Sequence, residues 1–425
     1  MPQAPSDYQT RYPTDFGDID PAIRHTVVQL YGADGAKSRG ILYLPPNRTP
    51  RTAVIMAHPR GDFSQHYSIP YWVEAGFAAF AQNTRYLNND SMMLHENLLL
   101  DLAAGLRFLR EEQAFEHVVM LGNSGGGSLF AYYDAEARKP KGSRVAAPPG
   151  GGSPDLNGFE LPTADGFILL AAHLGQGKVL MGSLDPAVVD EHDPFASDSA
   201  LDMYDERNGF VRPPAESRYD REWLRTYRAA QRARVVRIDT IARRHIEEAR
   251  NARTASRANG FAAQPATYRN YIQRRMMAPR IMLVYRTLAN PNYHDLTLEP
   301  SERALGSIFA ARPDLFNYHA FGLGHVITPE AWLSTWSGLS SYAYLERNLP
   351  RVTVPTLVVG ANADQDIFLS DVRAEFELSG SSDKRLEFIE GADHFMRAGG
   401  IKAKDDPRPR LMKLLTEWTR ERFTP

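Results

Sequence analysis

The stretch His117-Val118-Val119-Met120-Leu121-Gly122-Asn123-Ser124-Gly125-Gly126 decides how the rest of the chain is read. An apolar run, Val118–Leu121, leads into a glycine-flanked serine, and Ser128-Leu129-Phe130-Ala131-Tyr132 continues as a helical pattern. This is G-x-S-x-G set between a strand and a helix, the context in which that motif carries meaning. A serine at so sharp a turn takes a strained backbone, and only residues without a Cβ fit two positions to either side. The turn lifts the hydroxyl above the sheet, and the helix that follows aims its first N–H groups at developing negative charge. At a glycine usage of about 7%, chance flanks a serine in this way only about 0.5% of the time. A phosphate-binding loop is the rival reading, but neither G-K-[ST] nor G-x-G-x-x-G occurs at this turn. Ser124 is the candidate nucleophile.

Working outward, short apolar runs alternate with helical patterns, as in a mostly parallel sheet covered on both faces. The expected strands are Thr26–Leu30, Gly40–Leu44, Ala53–Ala57, Phe77–Ala81, Val118–Leu121 and Phe167–Ala171. After a long gap come Thr356–Val359 and Leu386–Ile389. Leu98, Leu102, Leu106 and Leu109 mark a helix between the fourth and fifth strands, and Leu411, Leu414, Leu415 and Trp418 a closing amphipathic helix. The fold class is α/β, with an eight-stranded doubly wound sheet. From residue 173 to about 345 the alternation gives way to helical, arginine-rich sequence, clearest from Tyr219 to about Arg257. There Leu224, Tyr227, Val235, Ile238, Ala242 and Ile246 form an apolar stripe, with Arg221, Arg225, Arg228, Arg232, Arg243 and Arg244 mostly outside it. Residues 1–172 and 346–425 thus read as two parts of one core, and 173–345 as a helical cap inserted between them. Lys139–Gly158, rich in glycine, proline and serine, reads as a mobile loop.

A serine needs a base within hydrogen-bond reach, itself held by a third group. On a strand–helix scaffold of this kind the acid and then the histidine should follow, each in a loop just past a strand. Thr356–Val359 is followed by Gly360-Ala361-Asn362-Ala363-Asp364-Gln365-Asp366, and Leu386–Ile389 by Glu390-Gly391-Ala392-Asp393-His394-Phe395. His394 is the expected base. Asp364, nearest the strand end, is the expected orienting acid, with Asp366 the alternative; Asp393 is expected to structure its loop.

The set Gly122-Asn123-Ser124-Gly125-Gly126, Asp364 and Gly391-Ala392-Asp393-His394 resembles the α/β-hydrolase superfamily of serine hydrolases. The resemblance covers roughly residues 20–172 and 346–425, and caps in that superfamily commonly enter after the sixth strand, as here. It implies an oxyanion hole with the N–H of Gly125 as one donor and a second from the loop after the third strand. That loop reads Ala57-His58-Pro59-Arg60-Gly61-Asp62, with proline where the family has glycine. Proline cannot donate, so the donor would be Arg60. His58 is expected to brace this loop. His58, Asn123, Trp332, Trp336, Tyr318 and His319 are carried as candidates for the substrate pocket, against the plainer alternative that the tryptophans pack the cap onto the core.

Composition narrows the partners. The 425 residues are 43% apolar and 24% charged, a soluble globular balance, and 49 basic against 51 acidic residues give a net charge of -2. Neither nucleic acid nor an anionic membrane is the expected partner. Glu222, Asp239, Glu247 and Glu248 offset the arginines of the insertion, so a solvated face or a homo-oligomer contact through the cap is the expectation there. With no cysteine, a thiolate nucleophile, a thiolate metal site and disulfides are excluded. No metal and no cofactor are expected. The N-terminal MPQAPSDYQTRYPTDFG lacks the apolar core of a secretory signal, which leads to the expectation of a cytoplasmic protein. The expected reaction on a small-molecule substrate is cleavage of a carboxylic ester or related acyl bond. The same triad would also serve a C–C hydrolase of β-diketone-type substrates, a lactonase or a peptidase, and a non-catalytic binding protein is the alternative of another class. A haloalkane-type enzyme would carry aspartate at position 124.

Overall fold

Strands form where the apolar runs predict them. The computed structural model describes residues 19–46, 48–319, 322–399 and 405–425, so the N-terminal stretch read for a signal lies outside the described residues. The core strands are β1 (His25–Tyr31), β2 (Lys37–Tyr43), β3 (Thr52–Ala57), β4 (Ala78–Asn83), β5 (His117–Asn123) and β6 (Gly166–Leu170). A two-residue pair, β7 (Met282–Leu283) and β8 (Val326–Ile327), was not expected from the sequence and lies inside the insertion. The core resumes with β9 (Thr356–Ala361) and β10 (Lys384–Ile389). The eight core strands form one sheet in the order β1-β2-β4-β3-β5-β6-β9-β10. Only β2 runs against its neighbours; the pairings from β4 to β10 are parallel.

Every residue of β3, β6 and β9 is buried, which explains why those strands read as unbroken apolar runs. The pleat sends alternate residues of β3 to opposite faces. On the face away from α1 (Ile69–Glu74), Ala53, Ile55 and Ala57 join the leucines of α2 (His95–Arg107) and the aromatic residues of α3 (Gly125–Ala137). Val54 and Met56 join Trp72 and the closing helix Arg408–Arg420, where Leu411, Leu415 and Trp418 are buried and Leu414 partly so. Leu98, Leu102, Leu106 and Leu109 are fully buried, each contributing about 1.5–3 kcal/mol relative to exposure. The Lys139–Gly158 loop, expected to be mobile, is tied to its surroundings. Arg144 donates to the Phe159 carbonyl at 2.6 Å, and the Val145 N–H to Glu136 at 2.9 Å.

Between β6 and β9 the insertion carries α4 (Gln176–Ser183), α5 (Arg221–Ser256) and α6 (Ala266–Met277). Asp220 caps α5 by accepting the N–H groups of Glu222 and Trp223. Tyr227, Val235, Ile238 and Ala242 are buried along the expected stripe. The charges depart from the sequence reading. Arg228 is turned inward, donating to the Gly182 carbonyl and to Asn290, both at 2.8 Å. Arg234, 1% exposed, forms a two-point pair with Glu191 at 3.0 and 2.8 Å. Asp239 does not offset surface arginines, because it is buried and accepts the Trp332 indole N–H at 2.7 Å and the Ser340 hydroxyl at 2.5 Å.

Arg286 and Asp185 pair at 2.7 Å with side chains 1% and 0% exposed, and Asp185 also accepts the Asn317 amide at 2.8 Å. Removing one partner of such a pair leaves a charge stranded away from water. Asp185→Ala should therefore lower the unfolding free energy by about 3–5 kcal/mol, measured by urea denaturation. A loss below the error of that measurement would show that Arg286 finds adequate compensation elsewhere.

Candidate active site

Ser124 stands between the last residue of β5 and the first of α3, with φ 54° and ψ −121°. For a residue with a Cβ this costs on the order of 1–3 kcal/mol, strain of the sort that gathers at reactive sites. The flanking glycines are required by close approach. A Cβ on Gly122 would come 2.6 Å from the Gly127 Cα, and one on Gly126 would come 2.3 Å from the Ala57 carbonyl oxygen. Asn123, carried as a pocket candidate, is corrected. Its amide donates to the Leu170 carbonyl at 2.7 Å and its oxygen meets His66 Nε2 at 3.2 Å, so it holds the turn from within.

The loops after β9 and β10 bring the other two side chains to this turn. His394 Nε2 lies 3.1 Å from Ser124 Oγ, and His394 Nδ1 lies 2.6 Å from Asp364 Oδ2. The other oxygen of Asp364 accepts the N–H groups of Asp366 and Ile367 at 2.9 and 3.0 Å, which fixes the carboxylate plane. With Nδ1–H donated to the acid, the tautomer assigned from these neighbours leaves the Nε2 lone pair facing the serine. Burial opposes the imidazolium, but the Asp364 charge and hydrogen bond outweigh it, with Asp366 and Asp393 adding. The His394 pKa is raised above 6.5 as a result.

Of the two aspartates, Asp364 is the one that contacts the His394 ring. Asp366 accepts the Tyr293 hydroxyl at 2.7 Å and the Ile308 N–H at 2.6 Å, fastening the insertion to the loop that carries the acid. Burial pushes its pKa up to about 6. Asp393 accepts the N–H groups of Phe395 and Arg397, both at 2.8 Å, and shapes the histidine's loop.

The expected oxyanion donor Arg60 is also corrected. Its N–H points at His58 Nδ1, 3.2 Å away, and that nitrogen also accepts the Gly61 N–H at 2.8 Å. His58 braces the loop as expected, and in doing so occupies the main-chain donor beside Pro59. The Gly125 N–H, in the first turn of α3, has no helical acceptor and remains aimed beyond the helix end. The Arg60 side chain pairs with Asp90 at 3.2 Å and lies 5.8 Å from the centre of the Trp336 ring.

The remaining pocket candidates are structural in large part. Trp332 is buried and bonded to Asp239, so it packs the insertion. Trp336, 1% exposed, lies under Arg60. Tyr318 is half exposed, stacked on Phe195 and beneath the Arg286 guanidinium, and His319 stacks on Phe316. A hollow of about 320 Å³ bordered by Glu191, His192, Ile238 and His245 lies within the insertion, and no triad residue lines it. One neighbour of the site was missed from sequence. His173 follows β6 at the sheet edge where β5 delivers Ser124, and its Nδ1 accepts the Gly175 N–H at 3.1 Å. The available signal was position: a polar residue immediately past a core strand, on the rim that carries the other three loops.

No family model matches the sequence, and no curated protein matches it. Among solved structures the chain is similar to DcsB in complex with its substrate analogue, at 12% identity, covering 95% of this chain and 100% of that one with a TM-score of 0.48. It is similar to the esterase domain of a Rhodothermus marinus protein, at 12% identity over 94% and 99% with a TM-score of 0.42. It is also similar to Est1E from Butyrivibrio proteoclasticus, at 11% over 93% and 98% with a TM-score of 0.43. Among the described residues no helix is long and apolar enough to cross a membrane.

Proposed function

We propose that this protein is a serine hydrolase that cleaves a carboxylic ester or related acyl bond of a small molecule through an acyl-enzyme. The observation that carries this reading is the continuous chain Ser124 Oγ, His394 and Asp364, with steps of 3.1 and 2.6 Å. Ser124 Oγ attacks the carbonyl carbon as His394 Nε2 takes its proton. Asp364 keeps the imidazole in the required tautomer and stabilises the cation that forms. The Gly125 N–H, at the positive end of α3, faces the oxygen that gains charge. His394 then returns the proton to the leaving group and activates the water that releases the acid. The insertion over residues 173–345 acts as the cap that encloses the substrate.

A fluorophosphonate probe tests the reading, because it reacts with a serine only where a base activates it. Labelling at Ser124, located by peptide mass spectrometry and absent from Ser124→Ala, is the expected result. A well-folded wild-type protein that never labels would favour a non-catalytic binding role on the same scaffold.

A further inference from the structure

An oxyanion hole with a single donor is incomplete, and at Pro59, Arg60 and Gly61 the loop after β3 has no free main-chain N–H to join that of Gly125. Pro59 has no N–H, and the N–H groups of Arg60 and Gly61 both end on His58 Nδ1. That arrangement fixes the imidazole. A ring nitrogen accepting two main-chain donors carries no proton, so the proton of a neutral His58 sits on Nε2. His173 is fixed in the same way, because its Nδ1 accepts the Gly175 N–H at 3.1 Å and its proton therefore also sits on Nε2. The two Nε2 atoms converge. A Cβ built on Gly125 would lie 2.9 Å from His58 Nε2 and 3.3 Å from His173 Nε2, directly beside the nucleophile.

Resting on the serine-hydrolase reading above, we infer that the Nε2–H groups of His58 and His173 are the side-chain donors of the oxyanion hole, acting with the Gly125 N–H on the oxygen that gains charge. Glycine at position 125 is part of this device, since any side chain there would fill the space between the rings. Both rings stay neutral under working conditions. Burial, with the Arg60 charge and the neighbouring His173, His394 and His95, holds His58 well below 6.5. Burial first, and then His394, His95 and Arg60, lowers His173 to about 3. A neutral imidazole donor loses no proton to the oxyanion and does not compete with His394 for the serine proton. Among the described residues no group of three His, Asp or Glu side chains has the geometry to hold a metal ion, so the cluster is not a metal site of that kind.

The test is the rate of fluorophosphonate reaction at Ser124, a step that places negative charge on the phosphoryl oxygen. His173→Phe should slow labelling roughly 100-fold to 1000-fold. The pKa read from the pH dependence of labelling, which reports His394, should stay at its wild-type value. His173→Gln, whose Nε2–H can reach the place of the imidazole Nε2–H, should recover part of the rate. His58→Phe should show the same loss if its loop holds, which its thermal midpoint reports. In the wild-type protein, the Nε2–H proton resonances of both rings should move downfield on forming the phosphonyl adduct. Labelling of His173→Phe at the wild-type rate, or adduct formation that leaves both resonances in place, would overturn the inference while leaving the triad intact. Failure of the wild-type protein to label at all would remove the serine-hydrolase reading itself.

Discussion

Ser124→Ala should lower kcat about 10⁶-fold on any p-nitrophenyl ester that the wild-type protein hydrolyses, with KM little changed. The 3.1 Å contact between Oγ and His394 Nε2 is the route by which the hydroxyl becomes a nucleophile, and alanine removes it without replacement. The fold should not suffer. Alanine keeps the Cβ and therefore the same backbone strain at φ 54°, so its thermal midpoint should match the parent. Glycine, which takes positive φ without that penalty, should be equally inactive but more stable by about 1 kcal/mol. Steady-state kinetics beside thermal melts separate the two effects. An alanine variant that kept most of the wild-type rate would mean that acyl transfer bypasses this serine.

Asp364→Asn should lower kcat about 10⁴-fold because the amide presents an N–H where His394 Nδ1 needs an acceptor, reversing the tautomer. The pH profile should change with it. His394 must be neutral to take the serine proton, so wild-type kcat/KM falls as pH drops through its pKa, placing the acid limb above pH 6.5. Without the Asp364 charge and hydrogen bond, burial is opposed only by the weaker pull of Asp366 and Asp393, and the limb should move below that of the parent. Stability changes in the opposite sense. A histidine whose folded pKa is raised stabilises the fold fully below pH 6.5, and that contribution disappears as pH rises through the folded pKa. Asp366→Asn is the control, and should cost far less in kcat because Asp366 does not touch the imidazole ring nitrogens. Equal losses in the two variants would mean that the acid's identity had been misassigned.

The central strands were legible because a parallel sheet buried on both faces leaves unbroken apolar runs, and β3, β6 and β9 are such runs. The meeting of Ser124 and His394 was legible because both follow strand ends on one rim of the sheet. Asp364 and Asp366 were not separable, since they share one turn and only the direction of each carboxylate distinguishes them. The insertion hid more. The stripe reading placed Arg228 outside the apolar face, yet it turns inward onto the Gly182 carbonyl and Asn290, partners distant in sequence. Arg60 failed as a donor for a similar reason, because the direction of a main-chain N–H depends on the neighbouring His58 ring rather than on residue type. The β7–β8 pair is two residues long on each side, too short to leave a periodic trace.

The turn after β9 serves two structures at once. Asp364 anchors the histidine, and two residues later Asp366 accepts the Tyr293 hydroxyl and the Ile308 N–H of the insertion. A graft exchanging residues 173–345 for a shorter connection would strip Asp366 of both donors and leave a buried carboxylate adjacent to the imidazole's orienting acid. The surroundings of His394 and the seating of the insertion are therefore inherited as a unit: a foreign connection would have to bring its own pair of donors before the Asp364–His394 contact could keep its tuning.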